Sequence, residues 1–208
     1  MAAGELLERG CASLGLDLGA TQLANLLAYL ELLQRWNSAF NLTSVRDESQ
    51  MVIRHLLDSL SILPHLRGGS LIDVGSGPGL PGIPLAIADP ARSYTLLDSN
   101  GKKTRFMFQA ISALGLANCD VVKARVENWQ PEAPFDAVLS RAFASLDDMI
   151  DTCRHLIDGH GCFLAMKGAI PEGELAGLEN RAGVLAVTRI TVPGLDEARC
   201  LITLRPRP

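Results

Sequence analysis

The 208-residue sequence predicts an α/β fold in which a mostly parallel sheet follows an all-helical segment. Three observations predict it. Apolar residues recur at helical spacing through the first 67 or so positions, and after "RGGS" short apolar runs alternate with helical patterns at intervals that fit strand-helix-strand crossovers. Between these regimes lies "LIDVGSGPGLPGIPLA", residues 71–86, a glycine- and proline-rich turn that enters as a strand and leaves as a helix. The expected division is a helical cap over residues 1–67 and a sheet domain over residues 68–208.

In the first part, Leu23, Leu26, Leu27, Leu30, Leu33 and Trp36 form one apolar face of a helix from Ala20 to Ala39, with Thr21 as its cap. A second helix is expected from about Glu48 to Leu66, with Ile53, Leu56, Leu57, Leu60 and Leu63 on one face and Asn41 or Thr43 as capping residues. In the second part the expected strands are Leu71–Val74, Tyr94–Leu97, Asp120–Lys123, Ala137–Leu139 and Cys162–Met166, and the clearest helix is Gly101–Leu114. Val184–Val192 and Arg199–Leu204 lack a helical crossover between them, so they form an antiparallel pair.

Composition narrows the function classes. A content of 48% hydrophobic and 20% charged residues is that of a globular chain and excludes disorder. The net charge of −4 supplies no global positive field, so a polyanion must be met by local basic residues. Five cysteines without a C-x-x-C spacing read as free thiols of a reducing compartment, and no signal-like or membrane-spanning run is visible, so a cytoplasmic location without membrane attachment is expected.

The glycine turn selects its ligand by what it lacks. A phosphate-cradling loop needs Lys after its last glycine, and Gly82 is followed by Ile83. A dinucleotide fingerprint needs glycine where Leu80 stands. What remains is Asp73-x-Gly75-Ser76-Gly77-x-Gly79, an acid beside a turn without lysine, and this suits S-adenosyl-L-methionine, which carries an ammonium and a sulfonium but no phosphate. Asp73 is expected to face the ammonium, and the glycines to let backbone amides approach the methionine part. Pro81 and Pro84 fit only a helix's first turn, which places the helix start near Leu80. Asp98, 21 residues after Gly77, stands where an acid takes ribose hydroxyls.

Ligands of open α/β sheets bind beyond the carboxyl ends of the strands, where this sequence places Lys102, Lys103, Arg105, Arg125, Glu127, Arg141 and Lys167, with Arg199 in the last hairpin. "SRAF" after the fourth strand lacks the Asn/Asp-Pro-Pro-aromatic pattern of exocyclic-amine methylation, and no Pro-Cys offers a nucleophile for cytosine C5. An acceptor with a free lone pair, such as guanine N7, needs alignment and no general base, so no catalytic base is nominated. Cys153, His155, His160 and Cys162 tempt a zinc reading. However, residues two apart on a helix point about 200° apart, and no metal is expected; Asp147, Asp148 and Asp151 read as helix-opening acids.

"NLTSVRD", "RHLLDSL", "DVGSGPGLPGIPLA", "LLDSNGKKTRF", "ARVEN", "SRAFASL" and "MKG" together resemble the glucose-inhibited-division protein B family of small-subunit rRNA guanine-N7 methyltransferases; only residues 169–192 match weakly. The resemblance implies a class I, Rossmann-like methyltransferase sheet of seven strands with an antiparallel last strand. It also implies methylation of a guanine in the 530 loop of 16S rRNA, free or within the 30S subunit or its precursor. Gly75, Leu80, Val126, Glu127 and Arg141 carry over as cofactor residues, Glu127 toward the adenine and Arg141 toward the methionine or acceptor side. Arg54, His55 and Asp58 are expected against the cleft as an RNA-facing surface. The rival readings are an NAD-dependent oxidoreductase, a methyltransferase of another RNA or of a small molecule, and a non-catalytic ribosome-assembly protein.

Overall fold

The computed structural model describes residues 2–178 and 181–207. Two helices, α1 (Ala3–Ser13) and α2 (Ala20–Phe40), are followed by one helical run made of α3 (Glu48–Met51), a π-helical stretch (Val52–Leu57) and α4 (Asp58–Leu60). The chain then alternates β1 (Ser70–Val74), α5 (Gly82–Ala88), β2 (Ser93–Asp98), α6 (Gly101–Leu114), β3 (Cys119–Lys123), β4 (Phe135–Ser140), α7 (Leu146–Cys153), β5 (Ile157–Lys167) and α8 (Glu172–Gly177). It closes with β6 (Ala182–Ile190) and β7 (Arg199–Pro206). In the weakly matching stretch 169–192, α8 and all of β6 are seen, while residues 179–180 lie outside the described residues.

The seven strands are ordered β3-β2-β1-β4-β5-β7-β6. The first five pair in parallel and β7 runs antiparallel to both β5 and β6, as the absence of a crossover before it requires. Successive strand residues serve opposite faces. Leu71, Leu96, Leu139 and Leu164 join one core with Leu26, Tyr29, Leu33, Leu56 and Phe106 of the α2, π and α6 segments. Ile72, Leu97, Val138 and Phe163 join the other with Met149 and Ile150 of α7. The early helices therefore cover one face of the sheet, and this packing brings the π-helical stretch to the carboxyl edge.

Several local expectations are corrected. Thr21 does not cap α2: Gly19 takes the extended cap conformation and its N–H donates to Gln22 Oε1 at 2.8 Å. Asn41 ends that helix in the left-handed conformation (φ 51°), and Asp47 caps the next run by accepting from Gln50 N at 2.8 Å. The run stops at Leu60 instead of Leu66 because Pro64 has no N–H to donate back to Leu60; Leu63–His65 forms a 3-10 turn instead. Helix α5 starts at Gly82, two residues after Leu80, with Pro81 as its cap and Pro84 inside its first turn. The α6 boundaries coincide with those expected: Asn100 accepts from Lys102 N at 2.9 Å, and Gly115 (φ 64°) closes the helix.

Candidate functional site

The glycine turn is held from both sides. Gly75, Gly77 and Gly79 take left-handed φ values of 71°, 62° and 93°, which other residues adopt only under strain. Gly75 N and Ser76 N donate to Leu97 O (2.9 and 3.2 Å), Gly79 N and Leu80 N to Ser76 O (2.9 and 2.8 Å), and Gly77 N to Asp98 Oδ2 (2.9 Å). The turn's amides are thus engaged within the protein, so the expectation that they approach the ligand is corrected. Of the three only Gly77 has an open Cα face: a Cβ there would meet nothing nearer than Lys103 Nζ at 4.0 Å, whereas one on Gly75 would meet Ala142 Cβ at 2.7 Å and one on Gly79 would meet Ile83 Cδ1 at 2.4 Å.

Asp73 also differs from expectation. It lies beneath the turn, 2% exposed, where Oδ2 accepts from Ser76 Oγ (2.6 Å) and Gly82 N (3.0 Å), so it braces the turn against the start of α5 and does not face outward. Burial pushes its carboxyl up to about 6, against the opposing pull of these two donors and of Arg141. Its Oδ1 is buried without a partner. Asp98 is engaged by Gly77 N and, through Oδ1, by Asn100 N at 2.8 Å.

A crevice of about 300 Å³ opens beside the turn, at the carboxyl ends of β1, β2, β3 and β4. Gly75, Asp98, Arg125, Val126, Glu127, Lys103 and Phe143 line it. Gly75, Asp98, Val126 and Glu127 thus converge as expected, with Ser76 and Gly77 adjoining. Leu80 is buried in the core behind the turn, and Arg125 stands on this side rather than with the other basic residues. Lys102 lines neither this crevice nor the next; Lys103, one residue on, does. The arrangement fits S-adenosylmethionine. Asp98 and Glu127 bring carboxylate acceptors to this crevice, and the open face at Gly77 beside it is one that a Cβ would fill. Asp98 on the crevice wall and Asp73 beneath the turn put carboxylates on this side of the site, which suits a cationic ligand.

A second crevice of about 330 Å³ shares the loop after β4 and is lined by Arg54, His55, Asp58, Arg141, Met166, Lys167 and Arg199. Six of the residues expected at the cofactor or substrate site (Arg54, His55, Asp58, Arg141, Lys167 and Arg199) meet here although they come from four distant segments. Asp58, 4% exposed, accepts from Arg141 Nη1 at 2.9 Å and from Arg199 Nε at 3.1 Å. Glu197 accepts both terminal nitrogens of Arg54, at 3.1 and 2.6 Å, and one of Arg199, at 3.1 Å. Lys167 donates to the carbonyls of Phe143 (3.3 Å) and Ala144 (2.7 Å), which fastens the loop after β4 instead of presenting a free ammonium. His55 is neutral: burial, then the nearby Arg141 charge, bring it down to about 4, and its Nε2 pairs with Thr43 Oγ1 at 3.0 Å. Two larger crevices, about 530 and 370 Å³, lie at the opposite, amino ends of the parallel strands. Open α/β sheets do not bind there.

Lys103 lines the cofactor crevice as its place after the second strand led one to expect, whereas Phe143 and Glu197 were missed from sequence. Phe143 follows a strand end and was within reach of that rule; Glu197 carried no local signal. Among the described residues no group of three or more His, Cys, Asp and Glu side chains is placed to hold a metal. His155 Nε2 instead pairs with the Trp129 carbonyl at 3.0 Å, and Asp147 and Asp151 both pair with Arg181.

The strand order, the antiparallel seventh strand and the crevice at the carboxyl edge define the class I fold of S-adenosylmethionine-dependent methyltransferases. A solved enzyme of that description from Thiobacillus denitrificans, in complex with S-adenosyl-L-homocysteine, shares the fold. It has a TM-score of 0.56 and 12% identity, and the match covers 85% of this chain and 98% of that one. Within the class, the chain belongs to the rRNA small subunit methyltransferase G family, whose model matches residues 22–202. A relative from Pseudomonas paraeruginosa, named ribosomal RNA small subunit methyltransferase G, is 54% identical over 200 residues, 96% of this chain and 94% of its own. One of the same name from Shewanella amazonensis is 52% identical over 200 residues, 96% and 97% of the two chains.

Proposed function

We propose that this protein transfers a methyl group from S-adenosylmethionine to N7 of a guanine in 16S rRNA, within the 530 loop, with the RNA free or in the 30S subunit or its precursor. The observation that carries the reading is the pairing of two adjoining crevices at one edge of the sheet. One has acidic residues beside a glycine turn without lysine, and the other is rimmed by three arginines. Membership of a small-subunit rRNA methyltransferase family supports the same substrate.

The cofactor, when bound, supplies an electrophilic methyl on a cationic sulfur. The protein's own part is binding and alignment. Gly75 and Gly77 offer bare backbone, and Asp98 and Glu127 offer acceptors, for the nucleoside. Arg54, Arg141 and Arg199 offer guanidiniums to RNA phosphates. N7 has a free lone pair and no proton to lose, and the acceptor crevice matches that requirement. His55 is uncharged, with Nε2 paired to Thr43 and Nδ1 buried, and Asp58 is occupied by two arginines. Cys119 and Cys153 are no nucleophiles either, since burial pushes both thiols up to about 12. No helix among the described residues is long and apolar enough to cross a membrane, and a cytoplasmic location goes with an rRNA substrate.

The test is mass-spectrometric mapping of methylated guanines in 16S rRNA from cells with and without the gene. The expected result is one N7-methylguanosine lost on deletion and restored by the wild-type chain. An unchanged map would support a metabolite methyltransferase or a non-catalytic assembly protein instead.

A further inference from the structure

The rim of the arginine crevice is closed by a carboxylate from the connection between β6 and β7. Glu197 is half exposed, and its two oxygens receive the fork of Arg54 and one nitrogen of Arg199. Both guanidiniums have separate anchors. Arg54 Nε donates to Gln50 Oε1 at 3.0 Å, while Arg199 Nε donates to the buried Asp58 at 3.1 Å and its Nη1 to the Ala198 carbonyl at 2.9 Å. Removing Glu197 therefore leaves two oriented guanidiniums facing an empty place shaped for two oxygens. A phosphodiester presents two such oxygens with one negative charge, and arginine recognises it with the same bidentate geometry as a carboxylate.

We infer that Arg54 and Arg199 form a phosphodiester-binding site for the RNA strand entering the acceptor crevice, and that Glu197 is its internal occupant, displaced when the RNA binds. This rests on the RNA reading given above. The two guanidiniums hold the Glu197 carboxyl down to about 2, so at neutral pH competition and not protonation removes it. The exchange is inexpensive because exposed ion pairs contribute little to stability, whereas the polyanion gains by releasing its counterions. Glu197 thereby serves discrimination: an arginine pair left open would take any polyanion, but an occupied pair yields only to a strand that makes further contacts in the crevice.

The test uses the full-length protein with a hairpin RNA transcribed from the small-subunit guanine loop and an unrelated RNA of equal length. Dissociation constants are measured by fluorescence anisotropy across a salt series for wild type, Glu197→Gln, Arg54→Ala and the double variant. Glu197→Gln is expected to bind both RNAs several-fold more tightly, the unrelated one gaining more. The log–log salt dependence should stay about as steep as in the wild type, because once Glu197 is displaced the same phosphate is neutralised in both complexes. Adding Arg54→Ala should remove the gain. Unchanged or weaker binding by both Glu197→Gln and Glu197→Ala, at unchanged melting temperature, would show that Glu197 merely holds the arginines and would overturn the inference. Loss of the functional reading looks different: the wild type itself would then bind neither RNA preferentially and leave 16S rRNA unmethylated.

Discussion

The hydroxyl of Tyr29 donates to the carbonyl of Pro78 at 2.9 Å, a buried bond that ties the middle of α2 to the middle of the glycine turn. Pro78 has no N–H, and its carbonyl would otherwise lie unpaired in the interior. The Tyr29 ring in turn stands 6.1 Å from that of Phe106 on α6. The N-terminal helices are therefore connected directly to the wall of the cofactor crevice. Tyr29→Phe keeps the ring and removes the bond, so a loss of about 1 kcal/mol is expected. S-adenosylhomocysteine should bind more weakly, because the turn is less firmly held. Thermal melting and calorimetric titration check both parts; an unchanged titration would mean that the turn holds its shape without α2.

His55 predicts a pH dependence. Its folded-state value of about 4 lies below the ordinary 6.5, so the unfolded chain takes up a proton before the folded one does. The stability it contributes is complete above about 6.5 and is lost as pH falls from there to about 4, by roughly 3 kcal/mol at most. Asp73, raised to about 6, acts in the opposite sense over part of the same range, since its burial is less costly once it is protonated. Replacing His55 with Gln should remove the acid-side loss and leave a melting temperature that rises or stays level as pH is lowered through this window. A decline as steep as in the wild type would place its cause in other groups.

Two glycines of the turn should separate binding from stability. At Gly82 a Cβ would lie 2.1 Å from Leu96 Cδ2 and 3.0 Å from Asp73 Oδ2, so Gly82→Ala overpacks the interior and should cost about 1–3 kcal/mol. At Gly77 a Cβ meets open space beside Lys103, and the cost there is backbone strain at φ 62° together with intrusion on the ligand's side of the turn. Gly77→Ala should lower S-adenosylhomocysteine affinity about tenfold, equivalent to about 1.4 kcal/mol, while Gly82→Ala should chiefly lower the melting temperature. The same two measurements on both variants decide it, and equal profiles would contradict the placement of Gly77 beside the cofactor crevice.

Asp58 holds Arg141 and Arg199 from the interior, and replacing it with Ala leaves two partly enclosed guanidiniums without their anion. Breaking a fully buried pair costs about 3–5 kcal/mol. With Arg141 and Arg199 side chains 28% and 22% exposed, water moderates the loss to about 2 kcal/mol. Denaturant unfolding gives this figure. RNA binding and methylation by the folded variant should fall, whereas Glu197→Gln should bind RNA more tightly, because Asp58 orients the guanidiniums and Glu197 covers them.

The periodicity of α2 and α6, the seven strands and the antiparallel close were legible because each follows from side-chain spacing or from the absence of a crossover. Errors fell where one residue's environment decided. Thr21 lost the cap to Gly19 and Gln22, and Asp73 looked like a ligand contact until its depth under the turn was known. The π-helical stretch at Val52–Leu57 has no distinct pattern of its own, yet it is the segment that carries Arg54 and His55.

What the sequence determined by itself was local: the turn's left-handed path at its glycines, the lack of a lysine for phosphate, and the acid at the end of the second strand. Which cations share a crevice was decided only by tertiary structure. Asp58 and Arg199 lie 141 residues apart, and they meet because the first helices pack on the sheet face and the last strand returns antiparallel beside β5. Spacing along the chain carries no record of that meeting, since it is set by burial of surfaces contributed from both ends of the chain.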